Sequence, residues 1–320
     1  MRIGIDIMGG DFAPEATIVG SIAAQKETPP EVEIVLLGQE KKIHEILEKQ
    51  GENIEDYHIV HIPQVIGMGE HPANAFVKKP KSSIGAGFKM LATGEIQAFA
   101  SAGNTGAVLV GAMHTLKTIP GIIRPCISTI LPREDGTYSI IMDIGINPDC
   151  RPEILYQYAI LGSLYAESIH NIENPKVGLM NIGAEAEKGN LLTKSAYELM
   201  HDSKDFNFTG NIEGDNLFED KADVIICDGF TGNIILKVVE GLYSLMKKRN
   251  CTDNYFEKFN FENYGGTPIL GINGTVMIGH GISNPAAIKS MIRQAESVVK
   301  ANLSEQIKET FNKWIKQKPQ

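Results

Sequence analysis

The chain of 320 residues is long enough to bury a large core, in one α/β domain or in two smaller ones. Its composition is 42% hydrophobic and 22% charged, which is ordinary for a soluble globular protein. The net charge of -9 disfavours a general nucleic-acid-binding protein, because such a protein needs a broad basic face.

Short β-branched runs alternate with helix-length segments along most of the chain. This alternation predicts βαβ units around a mainly parallel sheet, and runs that are apolar on both faces predict strands covered by helices on both sides. We therefore expect an α/β fold with a doubly wound, mainly parallel sheet, in a single catalytic domain over 1–320. The predicted strands are 3–8, 32–37, 58–62, 98–101, 128–131, 139–144, 176–182 and 224–227.

Amphipathic stretches predict the helices, of which 41–50, 153–170 and 191–200 are the clearest. A start signal at Ser283-Asn284-Pro285 predicts one long last helix over 285–316. Charged and aromatic residues interleave before it, and we expect a surface-exposed insertion at about 242–263.

The uncharged stretch 96–116 has nearly the length of a membrane span. It contains several polar residues and glycines, which lipid does not accommodate without buried partners. We interpret it as a strand, a loop and a buried helix.

The loops after four predicted strands indicate an oxyanion site. Ligands of parallel α/β sheets gather at the carboxyl ends of strands, where glycines allow close approach and Asn and Thr supply uncharged donors. Strand ends and helix caps explain each loop alone equally well, but four such loops on one edge favour a phosphate-like ligand. The expected binding residues are Gly9, Gly10, Asp11, Ser101, Gly103, Asn104, Thr105, Gly106, Asn190, Asp228, Thr231 and Gly232.

Standard nucleotide and nucleophile motifs are absent from the sequence. The Gly85-Ala86-Gly87 segment lacks the third glycine of a dinucleotide fingerprint, and no P-loop motif exists. Ser101 has Phe99 where a nucleophile elbow needs glycine. These absences argue against a dehydrogenase, a P-loop enzyme and a serine hydrolase, and they leave a small anion bound without a nucleotide.

Several segments together resemble the bacterial phosphate acyltransferases that make acyl-phosphate from acyl-acyl carrier protein, the PlsX type. The resemblance spans nearly the whole chain in order, and its start combined with CDGFTGN is highly specific. The matching segments are DIMGGDFAP at 6–14, SAGNTG at 101–106, DIG at 143–145, KGN at 188–190, VIICDGFTGN at 224–233, YGG at 264–266 and IGHG at 278–281.

The resemblance implies transfer of an acyl group from a carrier-protein thioester to inorganic phosphate, which supplies acyl-phosphate for phospholipid biosynthesis. It also implies a homodimer without metal or organic cofactor, and a fold similar to phosphate acetyltransferases and isocitrate-dehydrogenase-type enzymes. The implied partners are acyl carrier protein, inorganic phosphate and a membrane glycerol-phosphate acyltransferase, without nucleic acid. The implied location is the cytoplasm, with peripheral contact at the inner face of the cell membrane.

Phosphate is itself the nucleophile in such a reaction, so no activated Ser or Cys is needed. The protein must hold a dianion beside a thioester, stabilise the oxyanion that forms and exclude water. Lys188 is the candidate catalytic cation because it is the basic residue inside a Gly-Asn loop, and Asn233 is the candidate neutral donor at a helix start. We interpret Asp11 and Asp228 as organisers of the pocket.

His280, in a glycine-rich turn, is an expected binding residue, with a structural role as the alternative.

The surface gives two further expectations. An acidic carrier protein favours a local basic patch, and the lysines of 78–81 and the basic run 247–249 are the candidates. Tyr255, Phe256 and Phe259 are the candidates for lying against lipid in the dimer.

The four cysteines are widely spaced and contain no Cys-x-x-Cys pair, so neither a zinc site nor a disulfide framework is predicted. The first residues hold an acid at Asp6 and no long apolar run, so we expect no signal peptide. Both features favour a reducing cytoplasm.

Two other functions remain open. A coenzyme A-dependent phosphate acetyl- or butyryltransferase would need the same kind of anion pocket. A phosphate-sensing or scaffold protein could keep such a pocket without catalysis.

Overall fold

The computed structural model describes residues 1–317, except the side chains of Phe261 and Gln317. These residues form two compact units. Unit 1 consists of Met1–Thr118 and Phe261–Ser304, and unit 2 consists of Ile119–Asn260 with the C-terminal residues from Glu305. Whether the units work as one catalytic domain stays a prediction.

Unit 1 contains a mainly parallel sheet. Its strands are β1 (Arg2–Asp6), β2 (Glu33–Gly38), β3 (His58–His61), β4 (Ala98–Ser101), β10 (Gly266–Leu270) and β11 (Thr275–Gly279). They lie in the order β3-β2-β1-β4-β11-β10, and only the β10–β11 pair is antiparallel among them. The carboxyl ends of β1, β4 and β11 therefore meet at one edge of this sheet.

Helices cover both faces of the unit 1 sheet. Phe88 packs edge-on against Phe99 of β4, with ring centroids 5.1 Å apart. Successive strand residues point to opposite faces, so Ala98 and Ala100 face the other helix layer. The helices are α1 (Glu15–Gln25), α2 (Glu40–Lys49), α3 (Pro72–Lys78), α4 (Ser83–Ala92), α5 (Thr105–Gly111), which continues into a π-helical turn, and α9 (Pro285–Lys300).

Unit 2 repeats the parallel arrangement on a second set of strands. They are β5 (Cys126–Pro132), β6 (Tyr138–Met142), β7 (Lys176–Met180), β8 (Asn207–Ile212) and β9 (Val224–Ile226). Their order is β5-β6-β9-β7-β8, with β5 antiparallel to β6 and the other pairs parallel. The helices are α6 (Pro152–His170), α7 (Leu191–His201), α8 (Gly229–Lys248) and α10 (Leu303–Gln317).

The α/β class and the doubly wound, mainly parallel arrangement are confirmed. All eight predicted strands exist, with ends within two residues of the prediction. The sequence reading missed β8, β10 and β11. Of these, β8 lacks an apolar run and carries a bulge, and β10 contains glycine and proline. The Asn273-Gly274 pair before β11 is a turn signal that marks the start of that strand.

The prediction of one long helix over 285–316 is wrong. Helix α9 ends at Lys300 and α10 begins at Leu303, because Asn302 has a left-handed backbone with a φ of 53°. A right-handed helix cannot continue through such a residue, and Asn tolerates the conformation better than most. The interpretation of 96–116 as strand, loop and helix is confirmed by β4 and α5. Within residues 1–317, no helix is both long and apolar enough to span a bilayer.

The aromatic residues after α8 pack within unit 2. The ring of Phe259 lies 5.5 Å from Tyr255, 6.2 Å from Phe256 and 5.7 Å from Phe218, measured between centroids. The Tyr255 hydroxyl donates to the carbonyl of Pro132 at 3.4 Å. These rings are only half-buried, and their contact with lipid stays a prediction.

Candidate functional site

The predicted loops form two clusters, one in each unit. The unit 1 loop cluster follows β1, β4 and β11 and consists of 7–14, 102–106 and 280–284. The unit 2 loop cluster follows β6, β7 and β9 and consists of 143–147, 181–190 and 227–233. The four loops singled out in the sequence are thus brought together two by two.

A buried carboxylate organises the unit 1 loop cluster. Asp6, at the end of β1, is only 1% exposed. Its Oδ1 accepts from the Met8 N–H at 3.0 Å and its Oδ2 from the Ser101 hydroxyl at 2.8 Å, while Ser101 Oγ accepts from the Gly103 N–H at 3.0 Å. Burial raises the pKa of Asp6, and hydrogen bonds from Ser83, Ser101 and Met8 oppose that shift. The carboxyl group therefore ties β1 to the loop after β4.

Glycines let the three loops of unit 1 approach one another closely. A Cβ atom at Gly9 would lie 2.7 Å from the backbone nitrogen of Gly103. Gly10 has a φ of +113°, which L side chains rarely adopt. The N–H of Asp11 donates to the carbonyl of Gly281 at 2.7 Å, so the loop after β11 is held against the loop after β1.

Asn104 has a full set of structural contacts. Its Oδ1 caps α5 by accepting from the Ala107 N–H at 3.0 Å. Its Nδ2 donates to the carbonyls of Gly67, Met68 and Glu70 at 3.2, 3.1 and 2.9 Å. The helix-cap alternative is confirmed for this residue, and phosphate binding by its side chain stays a prediction.

The remaining predicted residues of unit 1 also lie on these loops. Thr105 is exposed, and Gly106 is half-buried against Pro72. His280 Nδ1 accepts from the Ile282 N–H at 3.4 Å within the turn after β11. A direct role of these residues in binding stays a prediction.

A second buried carboxylate organises the unit 2 loop cluster. Asp143, directly after β6, is 0% exposed. It accepts from the N–H groups of Ile127, Gly145, Ile146 and Asn147 at 3.5, 3.3, 3.3 and 2.7 Å, and from Asn147 Nδ2 at 3.0 Å. Burial raises the pKa of Asp143, and these donors oppose the shift. The 143–147 loop is thus wrapped around its own carboxylate.

The first turn of α8 packs backbone to backbone on that loop. Gly229 donates its N–H to the carbonyl of Asn147 at 2.8 Å, and Gly232 leaves no room for a Cβ atom above the loop. Asp228 caps the helix, because its Oδ1 accepts from the Thr231 N–H at 2.9 Å and its Oδ2 from the Thr231 hydroxyl at 2.8 Å. These contacts fit the interpretation of Asp228 as an organiser.

Lys188 lies on an exposed loop with a fixed base. A Cβ atom at Gly183 would lie 2.7 Å from Lys188 Cγ, so the lysine stem passes directly over this glycine. Asn181 donates its Nδ2 to the carbonyl of Lys188 at 3.2 Å, and Gly189 has a φ of +98°. The backbone at Lys188 is therefore held in place while its ammonium group is left in solvent.

The two predicted asparagines of unit 2 differ in their contacts. Asn190 caps α7, because its Oδ1 accepts from the Thr193 N–H at 2.9 Å. Asn233 is exposed on the first turns of α8, and its Nδ2 donates to the carbonyl of Ile144 at 3.3 Å. This weak contact leaves Asn233 able to donate to a ligand.

The sequence reading gave no role to several residues that build these clusters. Asp6 and Asp143 lie at the ends of predicted strands, but their burial cannot be read from the sequence. Ser83, Asn147 and Asn181 were missed. The available signal for Asn147 and Asn181 was a polar residue at the end of a predicted strand or within three positions after it, a pattern that loops also show without function. Ser83 lies near no predicted strand end and carries no such signal.

Both loop clusters expose large apolar side chains. Phe12, Met68 and Ile282 are 56%, 40% and 45% exposed on the unit 1 loops or on the loop that Asn104 holds. Ile182 and Leu191, which flank the Lys188 loop, are 80% and 87% exposed. In unit 2, apolar surface therefore adjoins backbone donors and one cation, which suits a ligand with an anionic and an apolar part. Within residues 1–317, no three His, Cys, Asp or Glu side chains are grouped as metal ligands.

A family model and the sequence relatives agree on one family, and a solved structure shows the same fold. The model of a family described as "Fatty acid synthesis protein" matches residues 1–306. A phosphate acyltransferase from Dictyoglomus turgidum is 42% identical over 332 residues, covering 98% of both chains, and one from Salinibacter ruber is 40% identical, covering 97% of both. A phosphotransacetylase from Streptococcus pyogenes has a similar fold, with a TM-score of 0.65 at 18% identity over 95% of this chain and 94% of that one.

Proposed function

This chain belongs to the fatty acid synthesis protein family of phosphate acyltransferases, and we propose that the acyl group it transfers to inorganic phosphate comes from a thioester of acyl carrier protein. The observation that carries this proposal is the match to phosphate acyltransferases over almost the entire length of both chains. The product, acyl-phosphate, would serve phospholipid biosynthesis.

The reaction joins a phosphate oxygen to the thioester carbonyl carbon and breaks the carbon–sulfur bond. The tetrahedral intermediate carries a negative charge on the former carbonyl oxygen, which preorganised donors stabilise. The sulfur leaves as a thiolate, and a thiol with a pKa of about 8.5 takes its proton from water without a dedicated acid. Neither step needs an activated side-chain nucleophile.

We assign the cationic role to Lys188 and the neutral donor role to Asn233. Lys188 is exposed on a loop with a fixed base, where its side chain can meet a dianion. Asn233 holds its amide through one long hydrogen bond of 3.3 Å, which a stronger acceptor can replace. The glycine-rich backbone of the unit 2 loop cluster would supply further N–H donors.

Exposed apolar side chains support a fatty acyl donor. Ile182 and Leu191 stand on either side of the Lys188 loop, and each is at least 80% exposed. A short polar acyl donor gives no physical reason for such exposure, whereas an alkyl chain would cover it. The partners proposed are the carrier protein, a second copy of the chain and, at the inner face of the membrane, a glycerol-phosphate acyltransferase.

The decisive experiment measures acyl-phosphate formed from purified acyl-acyl carrier protein and inorganic phosphate. The same assay with the matching acyl-coenzyme A is the control. Faster turnover of the carrier thioester is expected. Preference for coenzyme A would identify a phosphate acetyl- or butyryltransferase instead, and phosphate binding without turnover of either thioester would identify a sensor or scaffold.

A further inference from the structure

The segment of unit 1 from α3 to the turn after α5 is basic, although the chain as a whole is acidic. Residues 71–118 contain five lysines and one acidic residue, Glu95, whereas the net charge of the whole chain is -9. Lys78 and Lys81 are exposed, and within residues 1–317 neither of them forms an ion pair. At least two cations of this segment are therefore left for a partner.

The side chains at the end of α3 divide between the interior of unit 1 and the solvent. Phe76 is buried, and Lys79 Nζ lies 2.6 Å from Glu70 Oε1, so both are used within the unit. Val77 is 72% exposed. A single exposed valine is ordinary on a protein surface, but this one directly precedes the unpaired Lys78. The end of α3 thus offers an apolar and a cationic side chain together.

A π-helical turn places a second apolar side chain beside α3. This turn, Ala112–Leu116, continues α5, and π-helical turns are rare and occur frequently at functional sites. The ring of His114 lies 6.1 Å from the ring of Phe76, measured between centroids, so the turn packs against α3. Met113, in the same turn, is 43% exposed. We name this surface the α3 face and define it by Val77, Lys78, Lys81 and Met113.

The α3 face adjoins the unit 1 loop cluster. Gly106, which belongs to that cluster, packs against Pro72, the first residue of α3. Asn104 holds the loop before α3 by hydrogen bonds to three of its carbonyls. The seven residues of α3, at 1.5 Å each, span about 10 Å. A partner bound at the end of α3 is therefore about 10 Å from loops that are expected to bind phosphate.

We propose that the α3 face is the docking surface for the acyl carrier protein, which would present carboxylates to Lys78 and Lys81 and apolar side chains to Val77 and Met113. Protein interfaces combine an apolar centre with a polar rim, and opposite charges guide the encounter and fix its orientation. The chemistry of the face calls for an acidic protein surface, and the identification of that partner as the carrier rests on the proposed function.

Other occupants fit the α3 face less well. A second copy of the chain, bound through the same face, would bring two basic surfaces together, and like charges repel. Lipid binding needs the apolar side of a longer amphipathic helix, whereas α3, which is described in full, has seven residues and exposes one large apolar side chain, that of Val77. The other basic run, 247–249, is partly engaged in its own unit, because the Lys247 ammonium lies 5.6 Å from the ring centroid of Tyr243.

The first test compares two acyl donors at saturating phosphate. One is acyl-acyl carrier protein, and the other is the N-acetylcysteamine thioester of the same acyl group, which has no protein part. The double variant Lys78→Glu/Lys81→Glu should raise KM for the carrier thioester about tenfold and leave its kcat within about twofold. Turnover of the small thioester should not change, because the substituted side chains do not touch the reacting atoms. Val77→Asp should shift the same KM in the same direction.

The matched control is Lys41→Glu/Lys42→Glu, which reverses the same number of charges on two exposed lysines of α2 in unit 1. This variant should keep the KM of the unaltered protein for the carrier thioester. An equal rise of KM in both double variants would reduce the effect to net charge and overturns the proposal. So does a loss of activity in Lys78→Glu/Lys81→Glu that is as large for the small thioester as for the carrier thioester, because it would show damage to the loops.

A binding experiment separates the docking surface from the chemistry. Titration calorimetry of the full chain with carrier protein that bears no acyl group measures Kd without turnover. We expect Kd to rise about tenfold in Lys78→Glu/Lys81→Glu and to stay unchanged in Lys41→Glu/Lys42→Glu. Carrier binding that depends on the α3 face in a protein without transfer activity would refute the proposed function alone. Normal transfer from the carrier thioester with equal Kd and KM in all variants would refute this docking surface alone. Flotation with phosphatidylglycerol vesicles that only Lys78→Glu/Lys81→Glu abolishes, at an unchanged KM, would assign the face to lipid and also overturns the proposal.

Discussion

Asp6 in unit 1 and Asp143 in unit 2 hold similar positions, each at the carboxyl end of a parallel strand and each almost without exposure. Their surroundings differ. Asp143 accepts five hydrogen bonds, four of them from the backbone. Asp6 has three donors, of which only the Met8 N–H belongs to the backbone, and the other two are the Ser83 and Ser101 side chains. In unit 1 the loops are positioned mainly by the close approach of glycines, with Gly9 against Gly103.

The difference shows two ways of fixing a loop at the end of a strand. One wraps the backbone around a charge, so its geometry depends on the carboxylate. The other presses bare backbone segments together, so its geometry depends on the absence of side chains. The loss of stability should consequently be large for substitution of the carboxylate in unit 2 and for substitution of the packed glycine in unit 1.

The largest effect on stability is expected for Asp143→Asn. The new amide would point N–H groups at the Asn147 N–H and Nδ2, which lie 2.7 and 3.0 Å from the present oxygen. Buried donors without acceptors should lower the free energy of unfolding by about 3 kcal/mol. Urea unfolding measures this loss. Asp228→Asn is the control, because asparagine caps a helix as well as aspartate does; an equal loss in both would contradict the special role of Asp143.

Gly9→Ala should lower the free energy of unfolding somewhat less than Asp143→Asn does. Its Cβ atom would come within 2.5 Å of Asp6 Oδ2 and 2.7 Å of the Gly103 nitrogen, so the two loops must separate. Overpacking of this kind costs about 2 kcal/mol. Gly69→Ala, in the same unit and with nothing within 4 Å of its added atom, should change stability by less than about 0.5 kcal/mol in the same urea experiment. Similar values for both variants would show that the glycine contact does not hold the loops.

The strands and the loops at their ends could be predicted from the sequence, whereas the roles of the residues inside these loops could not. Short β-branched runs gave all eight predicted strands, and therefore the loops at their ends, because strands covered by helices on both faces are apolar throughout. The roles inside the loops were less accessible. In sequence, Asn104 and Asp228 look the same as helix caps and as ligand-binding residues, since both uses need one short polar side chain. The burial of Asp6 and Asp143 depends on strands far away in the chain, and no local pattern encodes it.

Lys188→Ala tests the catalytic part of the unit 2 loop cluster. Removal of the cation should lower kcat/KM at least tenfold, or about 1.4 kcal/mol of transition-state stabilisation, and Asn233→Ala should do the same. Carrier-dependent formation of acyl-phosphate is the assay. Lys194→Ala, an exposed lysine on α7, is the matched control and should retain activity. Near-normal turnover in both Lys188→Ala and Asn233→Ala would show that these residues are not the catalytic ones.

The smallest effect is the pH dependence that Asp6 adds to stability. Burial raises the pKa of Asp6 above its ordinary value of 3.8, so the folded state holds the proton at pH values where the unfolded state has released it. Stability that is complete below pH 3.8 is therefore lost as the pH rises through the folded pKa, at less than about 1.4 kcal/mol per pH unit. Asp6→Asn should lack this slope in urea unfolding measured at pH values above 3.8. Ser101→Ala should extend it to higher pH, because the Ser101 hydroxyl now stabilises the charged form at 2.8 Å. Equal slopes of stability against pH for the unaltered protein, Asp6→Asn and Ser101→Ala would mean that the neighbours of Asp6 solvate its carboxylate as well as water does. Asp6 and Asp143 would then be more alike than their hydrogen bonds indicate.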